Sequence, residues 1–414
     1  MTQQVLPRFR RLAFLAAPSA LLSGLSACGG SGSDIGDPGA PSSGYLYIAS
    51  LDSQNLQMPG AVYQYTVNSD GSLVPMNIAS VPTGAAPTAI VSDATGHYVY
   101  VLNRGDVTIS QYAVGVGGLL SPLSPATVSA AGALALGTGI WSMTTDPSGH
   151  FLYAVLSSAD TFDPPTLVVQ FAIGSSGALS PLDRPVVTVR SFGSAGMTID
   201  PSGHYAYLPG STASSGGQVS QFSIGGDGTL QALTPAAVTA TPGARGVAFA
   251  PNDRTVYVLS TCIDTNCDGQ VALYTLGANG QLTATGTTLL TGDHIHPAQL
   301  IVDSSGSSAY LLTDLMGIDT NTSGLYQYAI SGAGALTPES PASVQVTSGP
   351  LSESSSGSNL YVLSNNQLAQ VSGSSSGGHV DHYTIDSGGL LTPAATTTVT
   401  ADSPTAMALV VPMD

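Results

Sequence analysis

One tyrosine returns along this chain about every fifty residues. Tyr47, Tyr100, Tyr153, Tyr207, Tyr257, Tyr310 and Tyr361 follow one another at spacings of 53, 53, 54, 50, 53 and 51 residues. A period of this size marks a propeller or solenoid, whose repeats cannot bury their apolar faces alone. Each unit has the same internal plan. An apolar strand such as Gly246-Val247-Ala248-Phe249 comes first, then a tight turn such as Asp146-Pro147-Ser148-Gly149 or Asp200-Pro201-Ser202-Gly203. Asp first, Pro second and Gly fourth suit a type I turn. The tyrosine strand follows, for example Tyr98-Val99-Tyr100-Val101-Leu102. It is apolar at successive positions, so both of its faces must be covered.

A third strand carries a second aromatic, as in Ser110-Gln111-Tyr112-Ala113-Val114, and a Gly-x-Leu turn such as Gly177-Ala178-Leu179 leads to a fourth. Four strands per repeat make a propeller blade. The first unit starts at its tyrosine strand, and Pro404 to Pro412 read as an innermost strand with nothing after it. The expectation is therefore an all-β, seven-bladed β-propeller of four-stranded antiparallel blades, its ring closed by the C-terminal strand in the first blade. Hydrophobic residues make up 43%, charged residues 8%, with 49 Gly and 27 Pro, a composition that suits short strands over helices.

Charge restricts the partners. There are 25 acidic residues against 8 arginines and no lysine. Three of those arginines, Arg8, Arg10 and Arg11, precede an apolar stretch from Leu12 to Leu25 that ends in Leu25-Ser26-Ala27-Cys28. A positive start, a short apolar core and small residues before a cysteine read as a lipoprotein signal. On this reading residues 1–27 are removed, Cys28 carries the lipid, 28–43 form a Gly/Ser/Pro-rich tether, and 44–414 are the propeller. Losing three arginines and no acid takes the net charge from −17 to −20. Such a surface repels phosphate backbones, which excludes nucleic acid as a partner. The expected location is the cell envelope, on the periplasmic or outer-membrane side, with the membrane engaged only through the lipid. Gly29 after Cys28 resembles the signal for onward transport to the outer membrane.

The run Asp146-Pro147-Ser148-Gly149-His150-Phe151-Leu152-Tyr153, the x-Gln-Tyr-x-Val strand, the Gly-x-Leu turn and the opening Tyr47-Ile48-Ala49-Ser50 resemble the lactonase family of seven-bladed propellers over residues 44–414. Its best-known members are 6-phosphogluconolactonases. The resemblance implies a polar cluster at the channel mouth, including a Gly-Pro-Arg-His motif entering the fifth blade. Here that segment is Pro242-Gly243-Ala244-Arg245-Gly246, which keeps the arginine and lacks the histidine. Thr261, Ala195, Ile301 and Asp314 stand where the family carries a glutamate, two histidines and a basic residue. Lactone hydrolysis needs a general base and donors for the oxyanion. Arg245 and His296 are the catalytic candidates on this reading.

Other residues are candidates on their own chemistry. His294 and His296 alternate before the innermost strand of the sixth blade, and Trp141 and Arg245 enter the third and fifth. These four are the expected binding residues at one rim. Cys262 and Cys267 are the cysteines left after Cys28, in one short loop, and an oxidising compartment predicts a disulfide between them. Within that loop Asp264, Asn266, Asp268 and Gly269 have the spacing of a calcium loop, although Thr275 stands at position twelve. Asx-rich turns have the same composition without metal. Calcium is thus the one cofactor with a candidate site. The expected function is a membrane-anchored binding platform for a protein or a small molecule, acting as a monomer. Its alternative is an exported hydrolase of a sugar or related lactone.

Overall fold

The computed structural model describes residues 42–52, 57–130, 141–157, 165–191, 196–212, 216–252, 254–261, 269–290, 296–314, 324–346, 350–365, 377–399 and 403–411. Among these residues the strands form seven antiparallel sheets of four. The innermost strands of blades 1 to 7 are Pro404–Val410, Pro87–Ser92, Trp141–Thr145, Thr198–Ile199, Ala244–Phe249, His296–Val302 and Pro350–Ser356. Blade 1 joins the two ends of the chain, because Pro404–Val410 pairs with Ser42–Ser50 from Tyr45↔Val410 to Ser50↔Pro404. Ser42 already pairs with Asn68, so the sheet takes in two residues of the stretch expected to be tether. Among the described residues no helix is long and apolar enough to cross a membrane.

The tyrosine strands show why their sequences do not alternate. Val99 and Val101 face blade 1, whereas Tyr100 and Leu102 face blade 3, and all four are fully buried. The described core is accordingly seven clusters, one in each seam between neighbouring blades.

The recurring tyrosine and the recurring glycine turn are two halves of one contact. Each tyrosine hydroxyl donates to the carbonyl of the turn glycine in the next blade. The pairs are Tyr47–Gly118, Tyr100–Gly177, Tyr153–Gly228, Tyr207–Gly280, Tyr257–Gly334, Tyr310–Gly389 and Tyr361–Gly71, at 2.5–2.9 Å. The last pair runs from blade 7 back to blade 1 and completes the circle. Glycine is required at these turns for two reasons. Its φ is +77° to +86°, and a Cβ on Gly177 would fall 2.1 Å from the Tyr98 ring.

A second stitch uses the glutamine of the third strand. Gln64, Gln111, Gln170, Gln221 and Gln327 each accept, through Oε1, the amide of a leucine in the next blade at 2.6–2.7 Å. Their Nε2 groups donate to carbonyls in their own outer strands, for example Gln64 to Ile78. Blades 5 and 7 lack this glutamine and carry Leu273 and His382 there.

Candidate functional site

A cavity of about 750 Å³ lies between the innermost strands of blades 1 to 6. What points into it follows from backbone register. In five blades the innermost strand bulges near its start. Pairing jumps from Pro87↔Asn103 to Ala89↔Leu102, and likewise past Arg245, Ala298, Leu351 and Thr405. A bulge leaves one residue out of the ladder and re-aims its side chain. Each bulged residue stands three before the partner of the strand tyrosine. Trp141 stands at the same count in blade 3, three before Thr144, the partner of Tyr153, but it stays in the ladder, paired with Leu156 without a bulge. Arg245 and Trp141, singled out separately in the sequence, are therefore one repeat position, two blades apart.

Arg245 is half-buried and lines the cavity, where it is the single charged group among the described lining residues. Apart from the Gln299 amide, the rest of that wall is small, apolar or hydroxylic. Gly196 and Gly246 widen it, and the Thr198 hydroxyl is committed to the Val247 carbonyl at 2.8 Å. Ser142 differs from the threonines. Its Oγ is buried and finds no hydrogen-bond partner, and it faces Gly196, where a Cβ would lie only 3.0 Å away. A buried hydroxyl without a partner costs free energy that a ligand can recover. The wall thus offers a fork of guanidinium donors and an unsatisfied hydroxyl. It offers no carboxylate, imidazole or thiol among the described residues.

His296 opens the innermost strand of blade 6 and pairs with Asp314, two residues before the bulge at Ala298. The strand start places its backbone at the rim where Gly243 accepts the Thr261 amide at 2.9 Å. His294, Cys262, Asp264, Asn266, Cys267, Asp268 and Cys28 lie outside the described residues, so the disulfide, calcium and lipid expectations rest on sequence. Among the described residues no three His, Cys, Asp or Glu side chains converge as a metal site. The reading of the residues alone missed Ser142, because one serine in an innermost strand carries no pattern.

A family model described as lactonase, 7-bladed beta-propeller, matches residues 40–312. The chain belongs to the lactonase family of seven-bladed β-propellers. Among solved structures it is similar to a putative 6-phosphogluconolactonase from Bacteroides fragilis at 19% identity and TM-score 0.66, covering 90% of this chain and 100% of that one. The periplasmic gluconolactonase of Pseudomonas aeruginosa is similar at 18% identity and TM-score 0.63, covering 89% and 99%. At such identities the likeness concerns the propeller itself. No curated protein matches by sequence. In this family member Arg245 enters blade 5 at the cavity wall, and the described lining residues include no carboxylate or imidazole.

Proposed function

We propose that this lactonase-family propeller is an exported, lipid-anchored binding protein whose channel mouth takes a small hydroxylated carboxylate. The observation that carries the reading is Arg245, turned into the cavity by a bulge as its single described charge. A guanidinium binds a carboxylate through two parallel N–H donors, which matches a small anionic ligand in geometry as well as charge. Ser142 would supply or accept a hydrogen bond from a ligand hydroxyl. The acidic surface, with a net charge of −17, makes a local cation the more discriminating feature.

The test is titration calorimetry of the folded chain with aldonates and related hydroxy acids. Arg245→Ala should weaken binding by about thirtyfold or more, the usual cost of removing one partner of a desolvated charge pair. Arg245→Lys should recover only part of it, since an ammonium lacks the fork. Equal affinity in all three proteins would place the ligand elsewhere.

Membership of the family and the likeness to gluconolactonases favour a second reading, a lactone hydrolase. It needs a base at the rim, and His296 is the candidate. On that reading His296→Ala and Arg245→Ala would both abolish turnover, with a pH profile set by one imidazole.

A further inference from the structure

The blades turn at two faces, and the chain enters the ring at one of them. The innermost strands run from the channel mouth, where Arg245 and Thr405 stand, to turns such as those at 93–96 and 146–149 on the opposite face. The hairpin turns between third and fourth strands, such as those at 115–118 and 174–177, lie on that same face. Ser42–Ser50 is the second strand of blade 1 and runs antiparallel to Pro404–Val410. Ser42 and Val411 therefore both sit at the turn face, away from the mouth.

On this face blades 2 and 3 differ from the rest of an acidic molecule. Asp93 and Asp146 are buried, and their carboxylates accept the amides of Tyr98 and Phe151 at 2.8 and 2.7 Å. The hairpin turns of these two blades carry no charge, whereas Asp70, Asp227 and Asp386 are exposed on those of blades 1, 4 and 7. Blades 2 and 3 expose His97, His150 and Val116 instead, and Val116 is 100% exposed. The patch continues into blade 1. Tyr45 pairs with Val410 and is half-buried, and a Cβ on Gly118 would fall 2.3 Å from its ring. Val411, next in the chain, is exposed. The other two large hydrophobic residues exposed among the described residues lie elsewhere, Met58 at the mouth rim and Ile78 on an outer strand.

We propose that this patch rests on phospholipid headgroups, so that the channel mouth opens away from the membrane. The inference rests on the lipid anchor at Cys28 proposed above. Residues 28–41 separate that anchor from Ser42, and a Gly/Ser-rich linker of such length spans about 20 Å on average. The face where Ser42 enters is thereby the one held near the bilayer. With a net charge of −17, the chain is repelled by anionic headgroups, and turns that expose no carboxylate approach them with the least repulsion. Tyrosine, with an apolar ring and a polar hydroxyl, suits the headgroup level, and exposed imidazoles donate to phosphate. The acyl chains supply the affinity, and the patch sets the orientation. A water-soluble ligand then reaches Arg245 from the aqueous side.

The test places the full lipidated chain in vesicles of phosphatidylethanolamine and phosphatidylglycerol brominated near the headgroups, which quench tryptophan on close approach. The wild type has one tryptophan, Trp141, at the mouth end of its innermost strand. Its emission should be the same in brominated and ordinary vesicles, and so should that of Met58→Trp. Val116→Trp should add emission that brominated lipid quenches and that shifts to the blue. Both substitutions are at exposed positions, so the fold is kept. Quenching of Met58→Trp with Val116→Trp spared, equal quenching of both, or quenching of neither would overturn the proposal. Labelled fatty acid on Cys28 reports the anchor separately. If Cys28 is not acylated the anchor reading fails. The same emission is then read on a Cys262→Ser, Cys267→Ser chain coupled through Cys28 to a maleimide phospholipid, which still decides the orientation.

Discussion

Raising the pH should break the ring at its latches before the buried phenols would ionise in a rigid protein. Desolvation pushes Tyr257, Tyr310 and Tyr361 up to about 12, and it raises Tyr47, Tyr100, Tyr153 and Tyr207 strongly as well. Nearby carboxylates add to the rise, as Asp93 does for Tyr100 and Asp200 for Tyr207. Each hydroxyl must stay protonated to donate to its glycine carbonyl. In the unfolded chain a tyrosine ionises near pH 10. Because the folded values are raised, the latch stability is fully present below about pH 10 and is lost as pH climbs toward the folded values. At about pH 11 each latch tyrosine favours the unfolded state by about 1.4 kcal/mol. Seven together amount to about 10 kcal/mol, comparable with the whole stability of a typical domain, about 5–15 kcal/mol. The expected outcome is one cooperative transition near pH 11, with the tyrosinate absorbance of the buried set and the loss of β circular dichroism coinciding. Tyr207→Phe sharpens the test. It should cost about 1 kcal/mol at neutral pH, where a hydrogen bond is lost, and nothing at about pH 11, where an ionising group is gone. Buried phenols that titrate reversibly near pH 10 with the sheet signal intact would refute the reasoning.

Three further outcomes are expected. Burial lowers the His382 pKa while Asp70 opposes the shift, and the ring is stacked on Tyr361 at 4.9 Å with Nε2 at 2.8 Å from Asn359. Its neutral form is the folded one, so stability present above about pH 6.5 is lost as pH falls, at no more than about 1.4 kcal/mol per unit. Denaturant melts at pH 7 and pH 5 should show His382→Gln losing less than the wild type. Deleting residues 404–414 removes buried Met407 and Val410 and strips the partner from the strand holding Leu46 to Ala49. The exposed edge should aggregate, and a monomer melting near the wild type would place the closure elsewhere. Cys28→Ala should abolish incorporation of a labelled fatty acid and release the protein from the membrane fraction.

The tyrosine period, the Gly-x-Leu turn and the returning C-terminal strand were all legible as a seven-bladed ring. Their physical connection was not, because Tyr100 and Gly177 are far apart in the chain and meet only when two blades pack. The glutamine of the third strand was visible as a motif, yet its acceptor role needs the neighbouring blade's leucine amide. Arg245 stood out as a retained cation. Its aim into the channel depends on a bulge, which the sequence Ala244-Arg245-Gly246 does not announce.

The claim that this channel binds without hydrolysing is tested most directly by turnover of a panel of sugar lactones, measured on the preparation whose aldonate binding has been established by calorimetry. The account predicts saturable binding dependent on Arg245 and hydrolysis no faster than the uncatalysed rate. Robust hydrolysis that disappears in both Arg245→Ala and His296→Ala would contradict it and make the protein a lactonase.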